Sequence, residues 1–181
     1  MAEKLVFDTS LDGLFHRALS GRITPELRTE LKGLGIDLGK KLPPAVSRET
    51  WYRALDLSAR ACFPSVDARA ALRELGVQMM KGIEETFFGK TMAPVVRMLG
   101  PRRILERVPK NMKSANNFAE GSVIRLEEHA MQLDVNDVGD APEVMQGSLE
   151  QIVRWAGAKT VDVTFTFEQP PAARFIVRWT E

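Results

Sequence analysis

The 181-residue sequence has one cysteine, two histidines and one tyrosine. A lone Cys62 makes no internal disulfide, so a reducing, cytoplasmic compartment is expected. His16, His129 and Cys62 stand far apart in the chain, and neither histidine has a partner at ligand spacing, so no metal site is expected. A glycine-rich phosphate loop, a nucleophile with a base beside it, an internal repeat and a Gly/Ser linker are absent as well. The enzyme classes that such motifs mark are therefore not expected. The stretch Met1–Phe7 has no apolar leader core, and no run approaches the roughly 18 apolar residues of a membrane helix. Export and membrane spanning are not expected. Charge of one sign is missing too: 25 basic against 24 acidic side chains leave a net charge of +1. A dedicated nucleic-acid binder would be globally basic.

The composition is that of a soluble globular protein, 44% hydrophobic and 27% charged. Residues 1–181 read as a single domain, large enough to bury roughly 70% of the unfolded chain's surface. The chain changes character near Asn117. Up to about residue 116 apolar side chains recur at helical spacing; over about 117–181 they alternate around one helix. Leu5–Phe7 suits a short edge strand, and Asp8, Thr9 or Ser10 would cap a helix bearing Leu11, Leu14, Phe15 and Leu19. Thr24-Pro25-Glu26 starts a second helix, and Leu38–Val46 reads as a loop. Ser47 caps a third helix, with Trp51, Ala54, Leu55, Ser58, Ala59 and Cys62 on one face. Ser65 or Asp67 starts a fourth, whose apolar stripe is interrupted by Gly76 and Gly82, places that suit a close helix crossing. Thr91 and Pro94 suggest a helix ending at Gly100-Pro101; Arg102–Val108 suits a short helical piece and Pro109–Asn117 a loop. Val123–Leu126, Met131–Val135, Val161–Phe167 and Phe175–Trp179 alternate as strands, and a helix follows Pro142. The expected class is α+β: an N-terminal helical layer packed on a C-terminal antiparallel ββαββ sheet, with Trp179 and Phe165 facing the helices.

Charge is segregated along the chain. Lys90, Arg97, Arg102, Arg103, Arg107, Lys110 and Lys113 face one acid, Glu106, in the stretch 90–113. Eight acids face only Arg125 between Ala119 and Glu150. Arginine forks with asparagine amides form anion sites, because they hold phosphate or carboxylate bidentately. The candidate binding residues are therefore Arg102, Arg103, Arg107, Lys110, Lys113 and Asn116, toward an anionic ligand, an acidic partner or the acidic block of a second copy. The simpler alternative is that the two blocks neutralise each other within the fold.

Trp51, Phe63-Pro64, Leu75-Gly76, Gly89-Lys90, Leu99-Gly100-Pro101-Arg102-Arg103, Val108-Pro109, Asn116-Asn117, Gly147 and Trp179 resemble a myxobacterial paralogous family of single-domain proteins without an assigned activity. The order of helices followed by ββαββ is similar to that of the haem nitric-oxide/oxygen-binding (H-NOX) domains, the 4-vinyl-reductase domains and the vesicle-tethering TRAPP subunits. That likeness implies a scaffold without haem. The sensor family's axial histidine belongs on the helix before the sheet, where Gly89–Asn117 has none, and its propionate-holding Tyr–Ser–Arg cluster has no counterpart around Tyr52, the only tyrosine. No cofactor is expected. The function expected is a non-catalytic signalling or interaction module, acting on a protein partner or as a homodimer. The alternative is a small-molecule sensor with an apolar or anionic ligand between helices and sheet, where Met79, Met80, Met92, Met98, Met112, Met131 and Met145 would supply adaptable walls.

Overall fold

The computed structural model describes residues 2–85 and 87–181, with the backbone alone at 87 and 88. The alternating stretches of the last third pair as one antiparallel sheet in the order β3-β4-β6-β5. Its strands are β3 (Gly121–Glu127), β4 (Ala130–Val135), β5 (Thr160–Gln169) and β6 (Ala172–Thr180). Register sets Val123, Leu133, Phe175 and Phe165 side by side on one face, with Val161 opposite Trp179. Because side chains alternate along each strand, this face takes the apolar set and leaves Ile124, Gln132, Ile176 and Thr164 on the other. Trp179 is only 5% exposed and Phe165 is half-buried on the inner face.

The helix that covers this face, α7 (Pro142–Trp155), carries Leu149 and Val153 into the sheet core. Its other side meets α4 (Ala68–Glu84) at a crossing close enough to exclude any side chain. A Cβ at Gly76 would lie 2.0 Å from the Val144 carbonyl oxygen, and one at Gly147 would lie 1.9 Å from that of Arg73. The glycines interrupting the apolar stripe thus admit a neighbouring backbone, and Gly82 does the same at Ala18. On its other flank α4 packs against α3 (Arg48–Cys62) and against the π-helix Asp12–Ala18 that continues α1 (Asp8–Leu11), while α2 (Pro25–Gly33) and β1 (Leu5–Phe7) pack on α3. Their core is one cluster running from Val6 to Leu75, and the sheet's core is a second running from Leu105 to Trp179, with Phe118 packed against both.

The start signals hold where a hydroxyl or carboxylate reaches the first turn. Thr24 accepts from the Leu27 amide, Ser47 from Thr50, and Asp67 from Arg69 and Ala70. Four details differ from the sequence reading. The first helix starts at Asp8, after Phe7, with no side-chain cap; Thr9 and Ser10 donate instead to the Ser114 and Ala115 carbonyls. Ala45–Ser47, at the edge of the expected loop, forms β2 and pairs with β1. The helix expected from Thr91 begins earlier, as α5 (Phe87–Leu105), and carries Pro94 inside it; at Gly100 (φ 73°, ψ 170°) the backbone leaves helical geometry and resumes at Pro101. Part of the expected loop after Pro109 is helical, as α6 (Val108–Met112).

Candidate functional site

The two halves of α5 and the short α6 carry the basic block. Lys90, Arg97, Arg103, Arg107, Lys110 and Lys113 are exposed, and none of them makes an ion pair among the described residues. Arg102 is half-buried and reaches Glu106 at 3.6 Å. The first half of α5, which carries Lys90 and Arg97, also exposes Val95 and Met98, the latter 77% exposed. Asn116 belongs elsewhere. Its Oδ1 accepts from the amides of Phe118 (3.1 Å) and Ala119 (2.6 Å), and its Nδ2 donates to the Met112 carbonyl. It shapes the corner that leads into the sheet, while Arg103, Arg107, Lys110 and Lys113 stand on the surface.

The acidic block does not neutralise this ridge. Four of its eight carboxylates are paired with bases from other parts of the chain. Asp134 takes Arg174 at 2.8 Å, Asp137 takes Lys4 and Arg48, Glu143 takes Arg69 at 3.7 Å, and Glu150 takes Arg73 at 2.7 Å and Arg154 at 3.8 Å. Glu143 and Glu150 thereby tie α7 to α4 on either side of their glycine crossing. Apart from Arg102, the cations of residues 90–113 make no ion pair among the described residues.

Asp137 is the most heavily held of these groups. It is 4% exposed and accepts from Lys4 Nζ at 2.7 Å, Arg48 Nη2 at 2.8 Å, Arg48 Nε and the Gly139 amide at 3.0 Å. Burial alone would raise its pKa, but the hydrogen bonds from Arg48, Lys4 and Gly139 outweigh it and hold the carboxyl below its ordinary value. The Arg48 guanidinium in turn lies 5.1 Å from the Tyr52 ring centroid. Burial, reinforced by the Asp137 charge, pushes the Tyr52 phenol up, so it stays neutral. This clamp joins β1, α3 and the β4–α7 connection.

Beside the clamp, at the seam of the two cores, is a cavity of about 160 Å3. Trp51, Leu55, Met79, Met112, Phe118 and Met145 are among its apolar lining, which Tyr52 and Asp137 join. Of the seven methionines considered as wall material, these three line it; Met131 lies in the sheet core and Met98 faces solvent. His16 is exposed beside Asp12, and His129 lies in the β3–β4 turn against Trp179. Cys62 ends α3 half-buried; burial raises its thiol, which donates to the Arg22 carbonyl.

A family model for proteins of unknown function, DUF2378, matches residues 4–180. The chain belongs to that family. DUF2378 carries no assigned activity, as the motif series from Trp51 to Trp179 implied. No curated protein matches this member. Solved structures share its fold at low identity. One, described for haem redox potential modulated by protein-induced porphyrin distortion, is 15% identical with a TM-score of 0.66 and covers 97% of this chain and 99% of its own. An Fe(II) unliganded H-NOX mutant from K. algicida is 10% identical, also at 0.66, over 97% of each chain. An oxygen-binding H-NOX domain related to soluble guanylate cyclases is 16% identical at 0.57, over 96% and 93%. The fold of this DUF2378 member is thus H-NOX-like. The haem that this fold implies does not fit its residues. No imidazole lines the cavity among the described residues, and 160 Å3 is about half the lower end of the 300–1,000 Å3 common for cofactor sites.

Sequence reasoning located the basic ridge but missed the Lys4–Arg48–Asp137 clamp. Its members are 133 and 89 positions apart, and only the three-dimensional fold brings them together. The one local signal was Asp137-Val-Gly139, in which the side chain accepts from the amide two residues on.

Proposed function

We propose that this DUF2378 member is a non-catalytic, haem-free signalling module of the cytoplasm that docks an acidic protein partner on the ridge formed by α5 and α6. The observation that carries the reading is the asymmetry of ion pairing. Half of the acidic block has counterions inside the chain, while Lys90, Arg97, Arg103, Arg107, Lys110 and Lys113 have none among the described residues. Exposed arginines bind carboxylates as forks, and the exposed Val95 and Met98 of α5 add apolar area. A net charge of +1 speaks for a local docking face over general polyanion binding. A second copy would bring only half of its acidic block, Glu120, Glu127, Glu128 and Asp140, since Asp134, Asp137, Glu143 and Glu150 are committed within the chain. Wide separation of Cys62, His16 and His129 supports a role without catalysis, and a single cysteine suits a reducing compartment.

The probe that tests this is a fluorescently labelled amphipathic Glu/Leu helix, titrated at two ionic strengths. Saturable 1:1 binding that weakens with salt and is lost in Arg103→Glu/Arg107→Glu is expected. Equal binding by the double variant would remove the ridge from the function. Preference for phosphatidylserine vesicles over the peptide would replace the protein partner by a membrane surface, and salt-sensitive dimerisation in place of peptide binding would make the partner a second copy.

A second reading, a small-molecule sensor, is favoured by the cavity at the seam of the two cores, in a fold whose solved examples include an oxygen-binding domain.

A further inference from the structure

We propose that the seam cavity is a binding site for a compact, neutral, apolar molecule of about the size of benzene or indole, in place of a tetrapyrrole. The inference rests on the sensor reading and gives it a ligand class. Size sets the first limit. At about 160 Å3 the partly open space has the volume of an apolar cavity that admits benzene or xenon, an engineered and enclosed example of which measures about 150 Å3.

Wall chemistry sets the second. Three polar side chains of the lining are used within the protein: Asn116 on the Phe118 and Ala119 amides, Ser10 on the Ala115 carbonyl and Ser148 on the Gly76 carbonyl. The Tyr52 hydroxyl, which makes no hydrogen bond among the described residues, is neutral and costs an apolar occupant no charge. Asp137 is the one charged residue of the lining, and it is matched by Lys4, Arg48 and the Gly139 amide. An anion entering here would meet that carboxylate, and a cation would have to displace Lys4 or Arg48. A neutral molecule meets neither cost.

The third limit is adaptability. Met79 on α4, Met112 on α6 and Met145 on α7 reach the cavity from three separate helices, and unbranched thioethers reshape around an occupant with little strain. Met112 lies between Lys110 and Lys113, so an occupant would press directly on α6, which carries Lys110 and ends at Lys113. Through Met79 and Met145 it would also press on both helices of the glycine crossing.

The test uses the full chain with 13C-labelled methionine methyls, titrated with benzene, indole and haem. Saturable shifts of the Met79, Met112 and Met145 methyls are expected with benzene or indole, with none at the solvent-facing Met98. Ala119→Leu and Ala141→Leu each place extra carbons into the lining, and each should raise the dissociation constant at least tenfold while the free protein keeps its native spectrum. Either variant suffices if the other fails to fold. Shifts spread equally over Met98, or unaffected affinity in a folded filled variant, would overturn the site. Stoichiometric haem that competes with benzene would overturn the size class and leave the sensor reading standing. Silence of all three methyls toward all three probes would remove both.

Discussion

Replacing Gly147 by alanine probes the contact that joins the helical layer to the sheet. The added Cβ would lie 1.9 Å from the Arg73 carbonyl oxygen and 3.0 Å from the Val77 amide nitrogen, where ordinary contact begins near 3.4 Å. Both obstacles are backbone atoms of α4, so no rotamer change relieves the overlap and the two helices must separate by about 1.5 Å. A gap of ~0.5–1 Å already forfeits a quarter to a half of each dispersion contact it opens. Overpacking a core costs roughly 1–3 kcal/mol where side chains can yield, and here none can, so about 3 kcal/mol is the appropriate figure. Alanine recovers about 1 kcal/mol of helix propensity. The net loss should be about 2 kcal/mol, read as a lower urea midpoint at unchanged slope. Gly76→Ala, which meets the Val144 carbonyl of the same crossing, should cost a similar amount. The double variant should cost less than the sum, because the first methyl has already parted the helices. Gly33→Ala on α2 is the control: nothing lies within 4 Å of its Cβ, and it should be neutral or slightly stabilising. A midpoint for Gly147→Ala equal to or above that of the wild type would refute the close crossing.

Asp137→Asn should destabilise by about 2 kcal/mol at neutral pH, less than a fully buried pair because Lys4 is half in solvent. Since the folded carboxyl titrates below its unfolded value of about 3.9, the difference from wild type should be full above that pH and vanish as pH falls through the folded value, which denaturation from pH 6 to 2 would follow. Trp179→Ala should cost ~3–5 kcal/mol. Trp179→Phe should cost far less, because the Nε1 it removes is buried without an acceptor among the described residues; equal losses would show that the N–H is satisfied. Arg103→Glu/Arg107→Glu should leave the urea midpoint within about 0.5 kcal/mol of wild type, since neither side chain has a partner to lose.

What the sequence made legible follows from how local each signal is. Strict alternation over Val161–Phe167 and Phe175–Trp179 assigned faces correctly, because a period of two leaves no freedom once one face is buried. Ser47 and Asp67 marked helix starts, because an N-cap acts within three residues of itself. Thr91 misled: a hydroxyl three residues before Pro94 imitates a start, yet α5 tolerates that proline in its interior at the loss of one backbone bond. β2 was hidden because three residues of strand exist only through pairing with β1, some 40 positions away. The basic ridge was visible as a run of charges. Its lack of counterions was not, because this depends on where Arg69, Arg73 and Arg174 reach, and neither was the cavity, whose walls come from elements spread over nearly the whole chain.

The central claim is that the α5–α6 ridge is a docking face for acid. Fluorescence anisotropy of the labelled Glu/Leu helix, titrated with wild type and with Arg103→Glu/Arg107→Glu at low and physiological salt, tests it most directly. The account predicts saturable binding by wild type, weakened by salt, and none by the double variant, whose far-UV circular dichroism stays unchanged. Binding of equal strength by both proteins, or binding indifferent to salt, would contradict it.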